Sequence, residues 1–184
     1  MTSEPVKGQN ASGNAKQKLI RIGLSWNFRV KPVRDFDLDA SAFMLGQDGK
    51  VLDDSGFVFY NQPESPDGSV AHLSDDEEGE NETIVVDLYK IPEAIVRVAI
   101  TATIYKGAER RQNFGALSSA RVRLVDVASE KELARYELTK DAGNESAVVV
   151  GEFVRSDGKW RFYAAGEGRS GGLYAIAKDF GVNV

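Results

Sequence analysis

The sequence predicts an all-β fold, a sandwich of two antiparallel sheets with a short C-terminal helix. Three observations predict it. Apolar and polar residues alternate with a period of two through most of the chain, and β-branched and aromatic residues fill those stretches. Asp-Gly pairs at Asp48-Gly49 and Asp157-Gly158 mark hairpin turns. The crossover helices that a parallel sheet needs are missing from the pattern. A closed barrel is the alternative way to arrange so many short strands.

Residues 1–18 are polar, aperiodic and rich in Gly, Asn, Ser, Gln and Lys, which predicts a disordered N-terminal tail; the domain is then 19–184. Leu19–Phe28 places Ile20, Ile22, Leu24 and Trp26 on one side of a first strand. Phe36–Leu45 and Val51–Tyr60 flank the turn at Gln47-Asp48-Gly49-Lys50. Thr83–Leu88, Ile95–Tyr105, Ala120–Val127 and Leu133–Leu138 continue the strand pattern. Ser146–Arg155 and Lys159–Ala165 pair across the second Asp-Gly turn. At the end, Gly172–Lys178 spaces Leu173, Ile176 and Ala177 for one helical face and stops at Gly181.

A chain of 184 residues fits one such domain, and 42% hydrophobic with 28% charged residues suits a soluble globular protein. Having no cysteine, the chain carries no disulfide framework, thiolate nucleophile, zinc ribbon or iron–sulfur site. Its single histidine, His72, rules out a multi-histidine metal centre, and a lone histidine of this kind reads as structural. A net charge of −5 and a pI near 5.0 argue against nucleic acid as a partner. The N-terminus lacks the apolar core of a signal peptide, and Ile95–Tyr105, interrupted by Arg97, falls short of the roughly 20 apolar residues of a membrane span. These features predict a cytoplasmic protein without a transmembrane segment; peripheral contact with the inner membrane surface stays open.

The net charge conceals an asymmetry. Between Asp35 and Lys90 stand fifteen acidic residues and two basic ones, Lys50 and Lys90, so the remainder of the chain is net positive. Crowded like charges oppose a compact state unless something neutralises them. Asp35, Asp37 and Asp39 alternate with Phe36, Leu38 and Ala40, so an extended backbone presents three carboxylates on one face. A second cluster, Asp75-Asp76-Glu77-Glu78-Gly79-Glu80-Asn81-Glu82, holds six carboxylates and no base. Between the two lie Asn61 and the oxygen-rich turn at Ser65-Pro66-Asp67-Gly68-Ser69. Calcium takes about six to eight such oxygens and tolerates irregular loops, whereas magnesium demands a stricter octahedron. The pattern is not an EF-hand: with Asp35 at loop position 1, the required Gly and Glu positions hold Ala40 and Gly46. A solvated acidic face remains the plain reading of either cluster alone; two clusters in one segment favour a divalent cation.

Taken together, Asp35-Phe36-Asp37-Leu38-Asp39-Ala40-Ser41, Phe57-Val58-Phe59-Tyr60-Asn61-Gln62, Ser65-Pro66-Asp67-Gly68-Ser69, Arg111-Gln112-Asn113-Phe114-Gly115 and Asp179-Phe180-Gly181-Val182 resemble the TerD-type tellurium-resistance and calcium-binding general stress proteins. The resemblance runs in order from about residue 20 to residue 184. It implies a bacterial cytoplasmic β-sandwich that binds Ca2+ through acidic loops, acts in resistance to tellurite and other stresses beside other tellurium-resistance proteins, and is not an enzyme. Carried over residue by residue, the family's acidic positions are Asp37 and Asp39 with Asp35 before them, Asp75 and Asp76 after His72, and Glu80 and Glu82 in the acidic loop. The chain departs from the family pattern in a shortened loop with Asn81 where an Asp is expected, and in Ser25-Trp26-Asn27 for Gly-Trp-Asp. The resemblance therefore implies that the site using Glu80 and Glu82 is the altered one. A calcium-independent interaction module of a stress complex at the inner membrane surface is the rival reading.

Three other features were candidates for chemistry. Gly166-Glu167-Gly168-Arg169-Ser170-Gly171-Gly172 reads as a glycine-rich connection, since it lacks the lysine of a phosphate-binding loop. Arg110-Arg111-Gln112-Asn113-Phe114 reads as a polar plug between strands. Arg121 and Arg123 share a strand face and, with Arg97, are a candidate basic patch.

Overall fold

The computed structural model describes residues 10–11, 19–30, 36–74 and 81–184. Among these, the strands are β1 (Asn10–Ala11), β2 (Leu19–Phe28), β3 (Leu38–Leu45), β4 (Phe57–Val58), β5 (Val70–Ser74), β6 (Glu82–Asp87), β7 (Arg97–Ile104), β8 (Leu117–Asp126), β9 (Lys131–Glu137), β10 (Ala147–Ser156) and β11 (Lys159–Arg169). They form two sheets, ordered β1-β11-β10-β7-β3-β4 and β5-β6-β2-β8-β9, with antiparallel pairing throughout. The fold is the expected all-β sandwich rather than a barrel. Short helices α1 (Gly107–Arg110) and α2 (Thr139–Ala142) sit in connections, and α3 (Gly172–Asp179) is the C-terminal helix. No helix among the described residues is long and apolar enough to cross a membrane.

Two cores hold the layers together. Between the sheets, Ile20, Ile22 and Leu24 of β2 and Val122 and Leu124 of β8 pack with Leu38 and Ala42 of β3 and Val98 and Ile100 of β7. On the outer face of the six-stranded sheet, Phe43, Leu45 and Val149 form a second cluster under Ile176 and Ala177 of α3 and Val182 beyond it. Covering both faces explains why β3 and β7 are buried at almost every position while β8 and β9 alternate. The chain end locks this cover down: Val51 N donates to Phe180 O at 2.9 Å and Asn183 N to Asp54 Oδ1 at 2.9 Å.

β10 carries a bulge between Val149 and Gly151, and the glycine there is a packing requirement. A Cβ at Gly151 would stand 2.4 Å from Phe162 Cζ and 2.6 Å from Tyr163 O.

Several elements differ from expectation. Of Val51–Tyr60 only Phe57–Val58 is strand, because Asp53 accepts from Ser55 N at 2.8 Å and winds Asp54–Gly56 into a 3-10 turn. Strand β5 and helices α1 and α2 were not expected. The glycine-rich segment is not a mere connection: Glu167, Gly168 and Arg169 pair with Val149, Val148 and Ala147 as the end of β11. Within the expected tail, Asn10 and Ala11 pair with Tyr163 and Phe162; residues 1–9 and 12–18 lie outside the described residues.

Candidate functional site

The start of β3 keeps the expected alternation. Leu38 and Ala40 are buried and Phe36 packs against the inter-sheet core, while Asp37 is exposed and Asp39 half-buried. Tyr105 N donates to Asp37 O at 2.8 Å, and Leu38 pairs with Ile104, which fixes where β3 enters the sheet. The short β4 pairs only with Ala42 and Phe43, leaving the edge of β3 beside Ala40 for the start of β6. There Glu82 Oε2 accepts from Ala40 N at 3.4 Å and lies 2.6 Å from His72 Nε2. A carboxylate can only accept, so Nε2 carries the hydrogen. His72 is 6% exposed, and its backbone N–H donates to Pro63 O at 2.7 Å.

The electrostatics of this corner are unbalanced. Burial first, and then the charges of Asp37 and Glu82, push the Asp39 carboxyl up to about 6, with His72 acting against them. Asp37 just before β3, Asp39 within it and Glu82 at the start of β6 thus share one partly desolvated corner with a single imidazole. Their oxygens are the donor type that a hard divalent cation takes, and the excess negative charge is what such a cation would offset. Among the described residues, no three or more His, Asp or Glu side chains are grouped so as to hold a metal ion.

The other expected ligands divide by position. Asp35, Asp75, Asp76 and Glu80 lie outside the described residues; in the chain they adjoin Phe36 on one side and Ser74 and Asn81 on the other. Asn61 is exposed on the Phe59–Gln62 turn, two residues before the Pro63 carbonyl that takes the His72 N–H, so it belongs to the same end of the sandwich. Asp67 does not. It precedes Val70, and Val70 to Ser74 is four strand steps, roughly 13 Å from the Glu82 end of the β5–β6 hairpin. Its Oδ1 accepts from Ser65 Oγ at 3.0 Å and Ser69 N at 2.8 Å, closing the turn.

Asn81, the residue that replaces an acid in the family pattern, is tied to β2. Its N–H donates to Leu24 O at 2.9 Å and its Oδ1 accepts from Trp26 N at 3.4 Å. The three arginines of the candidate basic patch are divided between the two sheets. Arg97 lies in the six-stranded sheet against Glu152 at 3.4 Å, whereas Arg121 and Arg123 lie in the other sheet against Glu137 at 3.7 Å and Glu132 at 3.0 Å. In the 110–114 segment Phe114 is buried, Asn113 Oδ1 accepts from Gly115 N at 3.0 Å, and Gln112 N donates to Gly107 O at 2.7 Å. Sequence reasoning missed the His72–Glu82 pair. His72 stands opposite Ile84 and Ser74 opposite Glu82, so the two side chains meet on a diagonal that only the β5–β6 register reveals.

A family model described as TerD domain matches residues 1–180. The chain is similar to the tellurium resistance protein TerD of Serratia marcescens, 41% identical over 184 residues that cover 96% of each chain. It is also similar to general stress protein 16U of Bacillus subtilis (strain 168), 38% identical over 192 residues and 100% of both chains. The crystal structure of a homologue of telluride resistance protein (TerD) from Streptomyces coelicolor A3(2) shares the fold, with a TM-score of 0.70 at 21% identity over 88% of this chain and 95% of that one.

Proposed function

The chain belongs to the TerD family, and on that footing we propose that it is a non-catalytic, cytoplasmic stress-response protein whose acidic end is ordered by Ca2+. The observation that carries the reading is the corner where Asp37, Asp39 and Glu82 converge, with the Asp39 carboxyl held up to about 6 by burial and by its neighbours' charges. Asp37, Asp39 and Glu82 would hold the ion together with Asp35, Asp75, Asp76 and Glu80 from the adjoining segments, and Asn61 is placed to contribute its amide oxygen. Calcium would supply charge neutralisation, not chemistry on a substrate. Without cysteine, the chain has no thiol of its own with which to reduce tellurite. Protection then runs through calcium-dependent assembly with other tellurium-resistance-type proteins.

Ca2+ bound to the native state alone would stabilise it by about 2.7 kcal/mol at 100 times the dissociation constant. The expected outcome is a melting temperature that falls in chelator and is restored by Ca2+ better than by Mg2+, with matching heat in isothermal titration. Replacing Asp37→Asn and Asp39→Asn together abolishes that heat. Melting indifferent to chelator and to calcium removes the reading. The rival, a calcium-independent docking module, draws on the lack, among the described residues, of any three side chains grouped to hold a metal ion, and partner capture unchanged by calcium is its signature.

A further inference from the structure

At the end of the sandwich away from Asp39, five strand steps along β3 or roughly 16 Å, lies a cavity of about 330 Å³. That volume is at the small end of ligand sites, which run to about 300–1,000 Å³. Its walls come from four separate pieces of chain. Met44 is next to last in β3, Leu52 and Asp53 lead into the 3-10 turn, Asp67 stands before β5, and Pro92 and Ile95 come from the link to β7. Gly56 lets the turn lie close, since a Cβ there would stand 3.2 Å from Met44 O. The lining is mainly apolar, and Leu52 at the rim is 60% exposed, hydrocarbon left to water.

The polar groups at the rim are of one sign. Asp53 and Asp67 line the cavity, and no basic residue is among the described residues that do. Both carboxylates are preorganised by their own turns. Asp53 Oδ1 accepts from Ser55 N at 2.8 Å and from Ser55 Oγ, and Asp67 Oδ1 accepts from Ser65 Oγ at 3.0 Å and Ser69 N at 2.8 Å. Each keeps its Oδ2 without a partner among the described residues, so an incoming donor meets an already oriented oxygen. Apolar walls with two fixed anions at the mouth complement a ligand with a hydrocarbon body and a cationic head.

We propose that this cavity binds an aliphatic primary amine, its chain on Met44, Leu52 and Ile95 and its ammonium on Asp53 and Asp67. Neither the family's acidic corner nor its metal takes part.

The test is an NMR titration of the 15N-labelled full chain with propylamine, butylamine and hexylamine, and with hexanol and hexanoate as equal-length probes lacking the cation. Amide shifts should centre on Leu52 and Ile95, with affinity rising about fourfold per added methylene, while hexanol and hexanoate bind far more weakly. Asp53→Asn and Asp67→Asn should each weaken hexylamine about tenfold. Should those turns fail to fold without their carboxylates, Leu52→Arg at an exposed position places a guanidinium at the rim and should block the amine. Repeating the titration with and without Ca2+ should give one affinity. Hexanol binding as well as hexylamine, variants that bind unchanged, no dependence on chain length, or competition by Ca2+ would each overturn the assignment.

Discussion

Asp39 stands half-buried between the charges of Asp37 and Glu82, so its ionisation opposes folding in the metal-free chain. Its folded value of about 6 lies above the unfolded value of 3.8. As pH rises through that window, the unfolded chain releases the proton first, and the stability of the metal-stripped protein falls before levelling off near neutrality. Discounted for partial exposure, the penalty is about 2 kcal/mol. Asp39→Asn should therefore flatten the decline between pH 4 and 6 and raise the melting temperature at pH 7 by about 4–8 °C in metal-stripped protein. A slope that survives the substitution would place the strain on another group. Glu82 is different because its carboxylate is also an acceptor for His72 Nε2 and Ala40 N. Glu82→Ala should cost about 2–3 kcal/mol by stranding a buried imidazole, and Glu82→Gln, which keeps an acceptor oxygen and sheds the charge, should cost distinctly less in denaturant melts. Equal losses would mean that the charge, not the hydrogen bond, is what counts. The alternation of Asp37 and Asp39 could be read from the sequence because a side-chain period of two is local. The His72–Glu82 pair could not, since it depends on the register between two strands joined through residues 75–81.

At the scale of elements, long segments with simple alternation were legible, and β2 begins and ends where the sequence expects. The misreadings share a cause. Val51–Tyr60 contains enough apolar residues to pass as a strand, but Asp53 engages its own backbone two residues on, and that local bond outcompetes extension. The five residues of β5 are too few to show a period of their own. β11 continues to Arg169 through glycines that read as a loop, because partner strand β10 and the close approach of Glu145 to Gly168 set the length there. Gly151 makes the dependence on partners testable. With Phe162 Cζ and Tyr163 O already within 2.4 and 2.6 Å of a Cβ position, Gly151→Ala should destabilise by about 2–3 kcal/mol. Chemical denaturation would report it as a lower midpoint with an unchanged slope. A midpoint equal to that of the unsubstituted chain would show the bulge to be free to shift.

Over the whole molecule, charge is sorted in a way the strand pattern does not require. The arginines of the five-stranded sheet are answered locally, Arg121 by Glu137, Arg123 and Arg135 by Glu132, and Arg21 by Glu130. The acids between Asp35 and Lys90 have two basic residues among them, and Lys90 is taken by Asp87 at 3.8 Å. The class of fold and this acidic bias both follow from composition and order along the chain, which is why they were legible; the pairing of arginines with glutamates on neighbouring strands follows from register, which is why the sequence left a basic patch and plain solvation equally open. The two populations respond oppositely to ionic strength. Screening weakens exposed cross-strand pairs, each worth less than about 1 kcal/mol, and relieves repulsion in the acidic corner, with a Debye length that shrinks from about 10 Å at 0.1 M to about 3 Å at 1 M. Because the corner has more anions than local cations can answer and part of it is desolvated, its term should dominate in the metal-stripped chain. Sodium chloride should then raise the melting temperature in chelator. With saturating Ca2+ the repulsion is already neutralised, the cross-strand pairs are what remains to be screened, and the same salt series should be flat or slightly falling. Parallel slopes with and without calcium would show that the cation does not sit among these carboxylates.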